Sequence, residues 1–142
     1  MDGVDEAAAT WPSEGLREAR MEFAYEVVSP RVARRFVAST ARSWGLGDVG
    51  AVAELLVSEV VTNAVEHGAS GGVVEVVALP AGLRVAVSDN SDGEPVVCSP
   101  DMGEPTGRGL AIVENLSRRW GVVPTAPRGK IVWFELDDDA VW

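Results

Sequence analysis

The chain has one cysteine, Cys98, one histidine, His67, and one lysine, Lys130. A lone cysteine forms no internal disulfide, so a reducing compartment, the cytoplasm, is the expected home. One Cys and one His do not make a zinc site. Basic residues are scarce: 12 face 22 acidic ones, for a formal net charge of −10. That balance excludes nucleic-acid binding through the overall field, which needs clustered Lys and Arg, and argues against docking on an anionic membrane. Long apolar runs are missing too. Those at 73–79 and 83–87 are interrupted by Glu75, Pro80 and Arg84, well short of the roughly 20 residues a membrane helix requires. The opening MDGVDEAAAT lacks the apolar stretch of a signal peptide, and there is no internal repeat. What remains, 142 residues of which 46% are hydrophobic, suits one soluble domain with a single core.

Residues 1–20 show no periodicity and read as a mobile leader; 21–136 reads as the domain and 137–142 as an acidic tail. Alternation of Phe23, Tyr25 and Val27 predicts a strand over 21–28. Ser29 followed by Pro30 reads as an N-cap and first helical residue, opening a helix to about Trp44 that Gly45 and Gly47 end. Asp48 is expected to cap a longer helix through Glu66, closed by His67 and Gly68. Two strands, 73–79 and 83–88, join through a tight Pro-Ala-Gly turn. Residues 89–108 carry neither period, and a connection of that length in a compact domain is usually functional or mobile. A helix over 109–119 and strands over 121–123 and 130–136 complete the chain. This order predicts an α+β two-layer sandwich, with a mixed, mostly antiparallel sheet and helices on one face.

Three clusters carry candidate chemistry. On the second helix, the 3.6-residue period brings Leu55, Leu56, Glu59 and Asn63 onto the same side as Val52, with Glu59 and Asn63 nearest the middle of the stripe. This places a carboxylate and an amide within the surface expected to face the core, which is costly unless they are paired or line a polar cavity. The pair is either a satisfied buried couple or the wall of a cleft, where the amide oxygen ligates Mg²⁺ and the carboxylate acts as a base. His67 suits a helix C-terminus better than a catalyst. Asp89, at the end of an apolar strand in Asp89-Asn90-Ser91-Asp92-Gly93, is a turn starter or, facing a pocket, an acceptor for an exocyclic amino group. Thr106-Gly107-Arg108-Gly109-Leu110 opens a helix whose unpaired N–H groups suit phosphate. It is neither a Walker loop nor a dinucleotide fingerprint.

Together and in this order, the three clusters resemble the superfamily of gyrase, heat-shock chaperone, histidine kinase and MutL ATPases. Within it, LLVSEVVTNAVEHG and GRGLAIVENL are similar to the anti-sigma factor serine/threonine kinases, over about residues 23–136. The resemblance implies the histidine kinase-like ATPase fold, with ATP and Mg²⁺ as cofactors. Asn63 would hold the metal, and Glu59 would be the general base. Asp89 would read the adenine amino group, with Gly93 letting the nucleotide approach. Gly107, Gly109 and Leu110 would sit at the phosphates beneath a lid of residues 94–106. The implied reaction is γ-phosphoryl transfer to a serine or threonine of an anti-anti-sigma (STAS-type) antagonist by a protein that otherwise sequesters a sigma factor. Three positions depart from the pattern. Ser91 replaces a glycine of the adenine box. Pro105 stands where an arginine can stabilise the transferring phosphoryl, making Arg108 the candidate replacement. Ile131 stands where a threonine often lies near the adenine.

The first helix bears on partners. The same period gathers Arg34, Arg35 and Arg42 on the side of Arg31, opposite Ala33, Phe36, Val37, Thr40 and Trp44. The arginines form either a solvated face or a docking patch for acidic partners, and the resemblance implies sigma-factor and antagonist contacts there. It also implies possible homodimerisation. The alternative to a kinase is a nucleotide-gated binding module without transfer activity. The catalytic half of a sensor histidine kinase is disfavoured, because the only histidine already belongs to the second helix.

Overall fold

The computed structural model describes residues 17–66, 70–90, 107–125 and 128–138. Along the chain lie β1 (Glu18–Phe23), α1 (Ser29–Ser43), α2 (Gly47–Glu66), β2 (Gly72–Leu79), β3 (Gly82–Asp89), α3 (Gly107–Leu116), β4 (Arg119–Pro124) and β5 (Lys130–Asp137). The strands form one sheet in the order β1-β2-β3-β5-β4. Every pairing is antiparallel, so the sheet expected to be mixed has no parallel pair among the described residues. Because strand side chains alternate, Val74, Val76, Leu83, Val85, Val87, Val132, Phe134 and Leu136 all project to one face. There they join Val37, Ala53, Leu56, Val57, Val61, Leu110 and Val113 of the helices in a single core. Phe134 is fully buried, which stabilises the fold by about 1.5–3 kcal/mol relative to an exposed ring.

The helix-free face is polar at its centre. Register aligns Glu18, Val77, Arg84, Glu135 and Arg119 in one row across the five strands. Arg84 Nε donates to Glu135 Oε2 at 2.6 Å, and Arg119 Nε donates to Oε1 at 3.0 Å. Both guanidinium groups also lie near the Trp133 ring, 5.7 and 5.6 Å from its centroid, within cation–π range.

Tertiary contacts revise several local expectations. The first strand occupies 18–23 rather than 21–28, and so begins inside the stretch read as leader. Phe23 pairs with Gly72, the first residue of β2, so the sheet offers no partner further on. The chain turns instead, with Glu26 N–H donating to Ala24 O and Ser29 N–H to Glu26 O. Tyr25 and Val27 are left 62% and 95% exposed. Ser29 is not the N-cap: Val28 is, without a side-chain cap bond, and the Ser29 hydroxyl donates to Ala24 O at 2.6 Å. Asp48 lies inside the first turn of α2, which begins at Gly47. The third helix starts two residues earlier than expected and ends at Leu116.

The core face of α2 is also rotated from the expected one. Its buried residues are Val49, Gly50, Ala53, Leu56, Val57, Val60, Val61, Ala64 and Val65, a sector centred about 120° round from Val52. Leu55 is 44% exposed. Glu59 and Asn63 therefore border the buried face and do not occupy its middle. The reason is α1: Ala41 packs so closely on Gly50 that a Cβ there would lie 2.6 Å from the Ala41 methyl. Arg34 lies 3.7 Å from Glu54 on the same flank. That contact turns the Val57–Val61–Val65 side inward.

Candidate functional site

Asn63 lies about 180° round the helix from Glu54, on the flank of α2 away from α1. α3 packs against α2 as well. The Asn63 Nδ2 and Oδ1 atoms are both buried, and neither has a hydrogen-bond partner among the described residues. A buried amide left unpaired costs about 1–3 kcal/mol, which marks Asn63 as a candidate ligand-binding side chain. Glu59, one helical turn earlier on the same flank, is half-buried and engaged by a neighbouring group.

The C-terminal end of α2 is tied to the end of β3 by two hydrogen bonds. Ser70 N–H donates to Ala64 O at 3.2 Å, and Asn90 N–H donates to Ser70 Oγ at 3.0 Å. The residue after Asn63 is thereby linked to the residue after Asp89. Asp89 itself is 5% exposed and points to the helix-covered face, in line with Leu83, Val85 and Val87. Its Oδ2 lies 3.0 Å from Lys130 Nζ, and both side chains are buried. The two residues are cross-strand partners.

Gly129 makes this approach feasible. Its φ of +101° is strained for any side-chain-bearing residue, and a Cβ there would lie 2.4 Å from Asp89 O. Sequence reasoning does not single out Lys130. The resemblance points to residue 131 near the base instead, but Ile131 pairs with Ser88 and so projects to the helix-free face. A one-residue offset in a strand moves a side chain to the other side of the sheet, and the 41-residue separation hides the register.

Gly107 and Gly109 form the first turn of α3, a helix that packs against α2. Leu110 is fully buried in the core, so it anchors α3 rather than presenting its side chain to a ligand. Arg108 lies in α3, but its side chain, like Gly93, Ser91, Pro105, Cys98, His67 and the expected lid of 94–106, lies outside the described residues. Among the described residues, no three His, Cys, Asp or Glu side chains gather to hold a metal. Mg²⁺ binds through one or two protein oxygens plus phosphate and water, and the Asn63 amide oxygen is of the donor type that such a site uses. The expected arginine face is present: Arg31, Arg34, Arg35 and Arg42 are all exposed, with Ala33, Val37 and Ala41 buried opposite. Sequence periodicity missed the apolar residues beside it, Val27, Val28 and Val32, which are 95%, 43% and 45% exposed. No helix among the described residues is long and apolar enough to cross a membrane.

Residues 23–136 match the family model of the Histidine kinase-like ATPase domain. No curated protein matches the chain in sequence. Among solved structures, the RsbU and RsbW domains of Rv1364c from Mycobacterium tuberculosis share its fold at a TM-score of 0.65. Identity is 22%, over 85% of this chain and 32% of that one, so the chain spans about a third of that protein's structure. The histidine kinase domain of the Erythrobacter litoralis EL346 blue-light activated histidine kinase is 21% identical over 97% of this chain and 77% of that one. Its TM-score is 0.48, too low to carry an inference.

Proposed function

Because the chain belongs to the histidine kinase-like ATPase domain family, we propose that it binds ATP with Mg²⁺ and phosphorylates a serine or threonine of a protein antagonist. In this reading it is a cytoplasmic anti-sigma regulator. It holds a sigma factor until the unphosphorylated antagonist displaces it, and residues 21–136 form the working domain. The observation that carries the nucleotide site is the buried amide of Asn63, without a hydrogen-bond partner among the described residues; it lies one helical turn from Glu59, and the next residue, Ala64, is tied through Ser70 to the strand end bearing Asp89.

The division of labour follows from each group's chemistry. Asn63 Oδ1 is a hard oxygen donor suited to Mg²⁺, which when bound neutralises charge on the phosphates. Glu59 accepts the proton of the attacking hydroxyl as general base. The Asp89 carboxylate accepts from the adenine amino group. The first turn of α3, with Gly107 and Gly109, offers backbone N–H groups to phosphate. Arg108 is the candidate for stabilising the transferring group. The exposed arginines of α1, beside the exposed Val27, Val28 and Val32, support docking of an acidic partner with apolar anchors.

The test is transfer of label from γ-labelled ATP to the antagonist. Glu59→Ala is expected to lower transfer by at least 100-fold, from the 10²–10⁴ that a general base typically contributes, with ATP affinity little changed. Undiminished transfer in that variant removes Glu59 from its role. Partner binding that depends on ATP but yields no phosphoserine or phosphothreonine identifies the chain as a nucleotide-gated module instead.

A further inference from the structure

The chain's only lysine, Lys130, sits beside the carboxylate assigned to the base. Its Nζ is 3.0 Å from Asp89 Oδ2, and its side chain is only 10% exposed. A lysine is almost never so buried without a specific partner. The fold fixes the pair twice over. Asp89 and Lys130 are cross-strand partners at the ends of β3 and β5, and Gly129 allows the backbone before Lys130 to close on Asp89 O. We propose that Lys130 is a specificity-determining residue of the nucleotide pocket, which together with Asp89 reads the six-position edge of a purine. The inference rests on the ATP-binding reading above.

The chemistry of the edge gives the pair its consequence. A carboxylate alone accepts from the 6-amino group of adenine and repels the 6-oxo group of hypoxanthine or guanine, so it discriminates strongly between them. An ammonium beside it donates to a 6-oxo group, or to the ring nitrogen next to an amino group. An ammonium has three N–H donors and a carboxylate about four acceptor sites, so a base edge joins the pair without displacing it. The paired site therefore accepts either kind of purine, and the preference that an unaided Asp89 would impose is relaxed.

Calorimetric titration of the full chain with Mg²⁺ and ATP, and with Mg²⁺ and ITP (a 6-oxo purine), tests this. The wild type is expected to bind ITP within about tenfold of ATP. Lys130→Met should weaken ITP at least about fivefold more than ATP, the lower end of what one lost hydrogen-bonding pair contributes to base discrimination. Lys130→Arg, which keeps the charge beside Asp89, should hold the ratio near the wild-type value. A wild-type preference for ATP beyond about a hundredfold overturns the proposal, as does an unchanged ratio in folded Lys130→Met. Where Lys130→Met fails to fold, the wild-type ratio decides alone. A chain that binds neither nucleotide overturns the ATP reading and this inference together; tight ATP binding with ITP excluded overturns this inference only.

Discussion

Asn63 sets a cost to the fold against the part in nucleotide binding proposed for it. Its unpaired amide is a cost carried by the ligand-free protein. Asn63→Leu keeps the branching and removes both polar atoms. It should raise the ligand-free stability by about 1–2 kcal/mol, a few degrees in Tm, while cancelling the Tm rise expected of the wild type with Mg²⁺ and ATP. A lower ligand-free Tm in a thermal melt would show that the amide stabilises the empty protein. Local spacing brings Glu59 and Asn63 onto one side of their helix, one turn apart, but sets them in the middle of the core face when they lie at its border. Lys130 is not legible in that way. Its significance lies in a pairing between residues 89 and 130 that no local period encodes.

At the scale of elements, the Arg84–Glu135–Arg119 row ties β3, β5 and β4 together on the helix-free face. Burial pushes the Glu135 carboxyl up, but hydrogen bonds and charge from Arg119 and Arg84 outweigh it and hold the group below its ordinary 4.5. The same contact raises Arg119. A depressed carboxyl stabilises the fold above its unfolded value and loses that contribution as pH falls through the folded one. Wild-type Tm should therefore drop below about pH 4.5, and Glu135→Gln should flatten that part of the profile. At pH 7 the variant should be less stable by about 3 kcal/mol, since Arg84 is left buried without its counter-charge. A profile parallel to wild type would place the acid sensitivity elsewhere. Element types and order are readable from periodicity and from Gly and Pro signals. Limits and faces are not: β1 ends where β2 stops offering partners, and α2 turns its Val57–Val61–Val65 side inward because Gly50 lets Ala41 approach.

For the molecule as a whole, the two-layer architecture follows from the order of elements, and the strand order comes only with tertiary pairing. Both β1 and β4 are edges, and β3 is the middle strand, paired along its full length with β2 and β5. Amide hydrogen exchange should divide accordingly. Val85 and Val87 are expected to exchange only through global opening, whereas amides of β1 and β4 exchange through smaller excursions; faster exchange at Val85 than at Met21 would contradict this. The carboxylate at the end of β3 thus rides on the part of the protein that opens last. The glycines at the start of α3 belong to a helix held mainly by α2 and β4. On the proposed nucleotide-binding reading, protection measured with and without nucleotide should therefore change little at Val87 and much more along α3, the one wall standing preformed and the other gaining order as it closes on the phosphates.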